Sequence, residues 1–446
     1  MMSTTNNLGK SYNFFSLMKF IFPNILMMLI LSLYVNVDGI FVSRYVGTTA
    51  LSAMNIMFPG CLSLEFAIGI MLGTGGSAIV SIKLGEKRLE EARKNFTLII
   101  ILGIVVGIII AIIGTNFTYE IAKLLGASDL QITASIDYGK TLFFFAPFLF
   151  LQVMFQTFFV SAGVPMLGLL STAGGGILNI VLDYYFIVIL NLGVFGAALG
   201  SGIGYLVPSF VGLIYFGFMK RGELYFQKTK YDKKFVYKSL INGSSEMVTN
   251  LALGITTFLF NIYFLKYYME DGVAAITITM YLEFIFMSVY FGFSMGVSPL
   301  ISYKYGSKDT DQLKNIFKYS VFFIGISSII LFLISRLFLS NLVVIFAPIG
   351  SNVYNLVLEG FPLFSYSFLV VGYNVFASNL FTALSDGKTS ALISFSRTLL
   401  FLSGAIIILP LFLKGTGLWI AVPIAEVLGL IVSITFILIK KTRYQY

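Results

Sequence analysis

The residues with the chemistry to act are few and mostly acidic. The first long apolar stretch, Phe15 to Gly47, is long enough to cross a bilayer. It carries one carboxylate, Asp38, deep inside it. An ionised side chain at that depth costs about 3 kcal/mol on insertion scales, so an acid kept there marks an ion or substrate path. Tyr34 lies four residues before Asp38 and shares its helix face. A second set sits on Gly174-Gly175-Gly176-Ile177-Leu178-Asn179-Ile180-Val181-Leu182-Asp183, where Asn179 and Asp183 are also four apart, and Ser201 follows on the next apolar segment. Two carboxylates, an amide oxygen and a hydroxyl are hard oxygen ligands, suited to a proton relay or to Na⁺. If Asp38 and Asp183 meet in hydrocarbon, they cannot easily both carry charge. Glu65 belongs to the same half. The second half contributes Glu246, Glu283, Glu359 and Glu426, with Arg397 as an internal partner. Each of these alone fits a structural ion pair or a hydrogen-bonded cap as well as it fits a ligand.

Most catalytic equipment is missing. There is no histidine and one cysteine, Cys61, which removes the commonest general base, the commonest metal ligand and any internal disulfide framework. Cys61 lies in an apolar run and reads as a small packing residue. Gly387-Lys388-Thr389 has the end of a phosphate-binding loop, but position 382 is Thr where that motif needs Gly, which argues against an ATP-driven pump.

The elements that must hold these residues are membrane spans. Of 446 residues, 58% are hydrophobic and 11% charged, and the mean hydropathy is +0.92, whereas soluble chains carry about 25% charged residues. Apolar segments fall at roughly 15–43, 50–80, 95–118, 138–160, 166–190, 195–218, 239–265, 273–300, 316–338, 355–382, 390–413 and 417–439, which predicts twelve transmembrane helices. No small-residue cleavage site follows the first segment, so it is expected to stay as a span. Pro23 and Pro59 are expected to bend their helices, and Pro165 and Pro299 to mark helix ends or bends. The net charge of +9 is a topology signal rather than a nucleic-acid one. Residues 83–94 hold five Lys and Arg and residues 220–238 hold seven, with Lys304, Lys308, Lys314, Lys318, Lys440, Lys441 and Arg443 on the same side. These loops, and both termini, are therefore expected in the cytoplasm of a cell (inner) membrane protein.

The chain also repeats itself. Gly75, Ser77, Ser81, Lys83, Gly85 and Lys87 recur as Gly296, Ser298, Ser302, Lys304, Gly306 and Lys308, all at an offset of 221; Phe96 and Phe317 continue the series, and Gly196 echoes Gly417. The offset spans six helices, so two six-helix lobes enter the membrane in the same sense, as parallel repeats about an axis along the membrane normal. The reading is an all-α polytopic membrane protein with an N-terminal lobe at 1–219, a basic linker at 220–238 and a C-terminal lobe at 239–446. Repeats of this kind place substrate at their interface and work by rocking.

With these features assembled, the chain resembles the multidrug and toxic compound extrusion (MATE) family, prokaryotic type, within the broader group that includes lipid-linked oligosaccharide flippases. The resemblance rests on VDGIFVSRYVG around Asp38, the repeated Gly/Lys loops, NIVLD on the fifth span, LGVFGAALG after it and GLWIAVPIAE near the C-terminus. It implies a secondary transporter, not an enzyme, that exports organic, mainly cationic, compounds by antiport with H⁺ or Na⁺. It assigns cation coupling to Asp38, Asn179, Asp183 and Ser201, beside Tyr34, with Ser201 standing where Thr is more usual. Pro23 corresponds to a helix-bending proline. Glu246 matches the coupling carboxylate of other branches, and Glu65 and Glu283 are candidates for the substrate cavity. No cofactor is expected beyond the coupling ion, which if Na⁺ would bind at Asp38, Asn179 and Asp183. The expected partners are organic cations and membrane lipid, not nucleic acid, and the expected state is a monomer. A flippase for a lipid-linked saccharide is the alternative. It would need several Arg or Lys in its cavity to meet a pyrophosphate, and only Arg397 is clearly within a span. A channel or non-transporting receptor comes third, with no sequence feature in its favour.

Overall fold

The computed structural model describes residues 7–58, 63–220 and 222–446; the expectations for Pro59, Cys61 and Arg221, and for the side chain of Tyr34, lie outside that range. The first lobe contains α1 (Phe14–Tyr45), α2 (Thr48–Phe58), α3 (Leu64–Gly85), α4 (Leu89–Asn116), α5 (Thr118–Leu124), α6 (Ile132–Ser161), α7 (Pro165–Asp183) and α8 (Gly193–Ile214). The second contains α9 (Lys233–Gly306), α10 (Thr310–Leu337), α11 (Leu339–Val343), α12 (Asn352–Phe364), α13 (Val371–Ala383), α14 (Gly387–Phe395) and α15 (Ser403–Tyr444). Among the described residues, ten helical stretches are long and apolar enough to cross a membrane. Two of them are double-length and break at non-helical residues, α9 at Met269 and α15 at Lys414. The breaks are hairpins: a β-carbon on Gly272 would reach the Phe264 carbonyl at 2.7 Å, and one on Gly417 would reach the Leu409 carbonyl at 2.7 Å. Counted this way the spans number twelve. The echo of Gly196 in Gly417 is the same device, since Gly196 closes against Leu192 and Phe186.

Pro165 starts α7, as a first-turn proline should. Pro299 neither ends nor interrupts α9, which runs on to Gly306. Helix α1 likewise continues through Pro23, although proline removes one backbone hydrogen bond there. Position 23 instead falls where α1 changes partners. Leu17, Ile21 and Ile25 belong to the apolar core of the second lobe, whereas Met28, Leu31 and Val42 belong to a core of the first. The second lobe mirrors this: Phe235 and Val236, at the start of α9, pack into a first-lobe core. Each lobe's first helix thus begins in the opposite lobe.

The lobes meet at their basic ends by direct backbone approach. A β-carbon on Gly85 would overlap the carbonyl oxygen of Tyr303, and one on Gly306 would overlap that of Ile82. Residues 82 and 303 are themselves 221 apart, so the two contacts are reciprocal. Neither glycine supplies the turn that ends its helix. That role falls to Lys87 and Lys308, repeat mates with φ of 60° and 57°. Deeper in, Gly75 lies against Ser239 and Gly243, and Gly292 and Gly296 lie against Asn24, Ile25 and Ile21 of α1. Asn24 Nδ2 donates to the Gly292 carbonyl at 2.6 Å. Small residues permit this proximity between helices in a membrane.

Candidate cation and substrate sites

Four sequence-predicted residues converge in the first lobe. Ser201 Oγ, on α8, donates to Asp38 Oδ2 of α1 at 2.8 Å. With its amide oriented to satisfy both partners, Asn179 on α7 donates from Nδ2 to Asp38 Oδ1 at 2.9 Å and accepts from the Ser201 N–H at 3.2 Å. Asp183 lies within hydrogen-bond reach of Asp38. It is fully buried, and neither of its oxygens receives a protein donor. Asp38 therefore accepts two hydrogen bonds, while the carboxyl facing it is unsatisfied until a proton or cation joins the pair.

The glycine-rich spacing explains the proximity. A β-carbon on Gly175 would stand 2.6 Å from the Gly204 carbonyl, one on Gly204 would stand 3.2 Å from Asn179 Cβ, and one on Gly200 would strike Asp183 Oδ1. The run Gly174–Gly176 and the glycines of α8 thus let two helices approach until their polar groups share one pocket. At the end of α7, Asp183 leads directly into a wide π-helical turn, Tyr184–Ile189, a feature that recurs at functional sites. Gly200→Ala is expected to displace Asp183 and impair transport strongly while leaving expression near normal. Unchanged transport in that variant would show that the position of Asp183 does not matter.

A second polar cluster occupies the other lobe. Asn379 Nδ2 of α13 donates to Glu246 Oε1 of α9 at 3.2 Å. Arg397, inside the π-helical turn Ser396–Leu402, pairs with Glu426 of α15 at 3.4 Å. Asn374 Nδ2 donates to Glu426 Oε2 at 2.7 Å and Ser433 donates to Asn374 Oδ1 at 2.8 Å. Glu283 is half-buried close by, within the electrostatic reach of Arg397 and Glu426. Arg397 thus makes one ion pair, with Glu426, and has Glu246 and Glu283 within its electrostatic reach. Asn374, Asn379 and Ser433 escaped the sequence reading, and no spacing signal would have found them. Glu359 is exposed and belongs to neither cluster.

Glu65, at the start of α3, is 1% exposed, and neither carboxyl oxygen has a protein partner. The structure does not bring it to Asp38 or to the second-lobe cluster. Beside it runs an apolar patch that both lobes build: Met28 and Leu31 of α1, Met54 and Met57 of α2, and Met295 of α9, with Phe66 and Phe291 against them. Among the described residues, no group of three or more His, Cys, Asp and Glu side chains is arranged to hold a metal ion.

The comparisons agree with this architecture. The sequence matches the MatE family twice, over residues 23–185 and 247–407, once in each lobe. It is 28% identical over 312 residues to the multidrug export protein MepA of Staphylococcus saprophyticus, covering 69% of this chain and 68% of that one. It is 26% identical over 320 residues to MepA of Staphylococcus aureus strain MRSA252, covering 71% and 70%. Among solved structures, a MATE protein in complex with MaL6 superposes with a TM-score of 0.92 at 20% identity, over 100% of this chain and 99% of that one. An outward-facing multidrug resistance MATE family transporter of the MOP superfamily superposes at 0.91, again at 20% identity and over 100% and 99%. Matched in both halves and folded as two repeated six-helix lobes, the chain belongs to the MatE family.

Proposed function

We propose that the protein is a secondary multidrug exporter of the cell membrane that expels organic cations in exchange for protons taken up at Asp38 and Asp183. The observation that carries the reading is the unsatisfied carboxyl of Asp183 facing an Asp38 that already accepts from Ser201 and Asn179. A single shared proton completes that pair. Na⁺ in the same place would need the Asn179 amide turned so that its oxygen, in place of the N–H that donates to Asp38, joins the two carboxylates. A coupling ion moves a conformational equilibrium only by its differential affinity for the two states. Helix α1 supplies the link, because it holds Asp38 at one end of the span and docks on the second lobe through Asn24 at the other.

The basic end faces the cytoplasm in this reading, by the excess of Lys and Arg there. The lobes are closed at that end, which supports reading the conformation as the one that opens to the outside. The substrate is assigned to the space between the lobes, where Phe66 and Phe291 stay partly exposed over buried methionines, an adaptable lining suited to varied compounds. Cationic substrates are favoured over pyrophosphate lipids because Arg397 is occupied by Glu426 and surrounded by further carboxylates.

Two experiments test these points. Substrate efflux from proteoliposomes, with a pH gradient and a Na⁺ gradient imposed separately, is expected to follow the pH gradient; efflux driven by Na⁺ alone would replace the proton. For orientation, a cysteine at Lys230 in a Cys61→Ser background is expected to resist an impermeant thiol reagent in intact cells. Ready labelling from outside would invert the topology.

A further inference from the structure

We propose that residues Asn7–Asn13, which precede the first span, form a latch that holds the basic-end gate shut; the inference rests on the orientation and outward-open state proposed above. The segment touches both lobes. On the first, Asn7 Nδ2 donates to the Gly163 carbonyl at 2.8 Å, in the loop between α6 and α7, where Gly163 adopts a positive φ of 76°. On the second, Lys304 Nζ donates to the Gly9 carbonyl at 3.1 Å, and the Tyr12 N–H donates to Gln312 Oε1 at 2.9 Å. Between these anchors Leu8 is fully buried in the second-lobe core, and Tyr12 Oη donates back to the Asn7 carbonyl at 2.7 Å, which keeps the segment folded on itself.

Its position is what makes it a latch. Gly9 lies beside the Tyr303 hydroxyl, and the Tyr303 carbonyl is the group on which Gly85 rests. The next residue, Lys304, is 2% exposed and spends its charge on Gly9 and on Asp309, at 3.0 Å. Among the described residues its repeat mate Lys83 is not bound by this segment and pairs with Glu91; the segment before α9 is held on the first lobe by its own contacts, the Glu223 carbonyl with Arg93 and the Gln227 N–H with Thr97. The strap ties down the Tyr303–Lys304 side of the gate. Separation of the lobes at this end requires release of either the Asn7–Gly163 anchor or the Lys304 and Gln312 anchors.

The test uses the full chain in inside-out membrane vesicles. Ser239 lies at the gate, fully buried with a hydroxyl that has no partner, so Ser239→Cys in a Cys61→Ser background reports opening through its rate of thiol labelling. Asn7→Ala/Leu8→Ala removes one anchor and the buried apolar plug, and is expected to raise that rate by about a hundredfold, given the usual worth of one hydrogen bond plus a truncated core side chain. Asn7→Ala alone, a milder change that the fold should tolerate, is expected to shift it in the same direction by a few-fold. Gly306→Ala should raise labelling whether or not the strap acts. Faster labelling in both strap variants, with Asn7→Ala keeping the parent melting temperature, supports the latch. Labelling at the parent rate in the strap variants but faster in Gly306→Ala overturns the latch and leaves the gate standing. Parent rates in all three overturn both.

Discussion

Asp38→Asn is expected to abolish uphill efflux while leaving the protein folded and able to bind substrate. The substitution keeps the size and the incoming hydrogen bond from Ser201, while Asn179 must turn its amide so that its oxygen accepts from the new Nδ2 where its N–H donated before, and it deletes the group that shares a proton with Asp183. A pH gradient of one unit is worth about 1.4 kcal/mol per proton and sustains at most about a tenfold substrate gradient with one proton exchanged. The variant should sustain none. Membrane insertion should be at least as good as in the parent, because a costly intramembrane carboxyl is gone. Asp183→Asn should behave alike, and the double variant should be no worse than either single one, since the two carboxyls act as a unit. Uphill efflux at the parent rate in Asp38→Asn would move the coupling site elsewhere, with Glu246 and its Asn379 partner next in line.

The second large effect concerns the gate. Gly85→Ile and Gly306→Ile are expected to impair transport with similar severity, because each glycine meets the carbonyl on which its repeat mate's helix depends, Tyr303 in one case and Ile82 in the other. Overpacking of this kind costs about 2 kcal/mol, which shifts an equilibrium between closed and open gates about thirtyfold. The lobes themselves should stay folded, since both glycines lie at helix ends and neither occupies a left-handed conformation. Efflux assays alongside thermal melting check both claims. Full activity in the two variants would reduce the glycines to mere spacers, and a severe loss in one alone would break the two-fold symmetry of the gate.

Much of this was legible before any coordinates. The apolar segments located the spans because a bilayer demands about 20 apolar residues per crossing, except that the segment expected at 50–80 divides into a short helix, Thr48–Phe58, and a span, Leu64–Gly85; the shared offset of 221 announced two parallel lobes. The first-lobe site was legible for the same kind of reason. Spacing of four puts Asn179 and Asp183 on one face, and an acid such as Asp38 is too costly in hydrocarbon to be idle. What the sequence hid was set by tertiary contact. Asn374, Asn379 and Ser433 sit amid ordinary apolar sequence, and their partners Glu246 and Glu426 lie 133 and 52 residues away. The π-helical turn after Asp183 has no compositional mark. Nor does the sequence mark that Gly85 and Gly306 serve close backbone approach while Lys87 and Lys308 make the turns that end their helices. That α1 changes lobes near Pro23 follows from which core each turn joins, and periodicity along a uniformly apolar helix carries no such information.

The central claim, that protons and substrate exchange through the Asp38–Asp183 pair, is tested most directly by running the transporter backwards. In proteoliposomes holding a pH-sensitive dye, an imposed substrate gradient should drive protons against the direction of substrate movement, because coupling between two ligands is reciprocal. The account predicts a substrate-dependent pH change with the parent protein and none with Asp38→Asn or Asp183→Asn, although both variants still bind substrate. An undiminished pH change in either variant would contradict it.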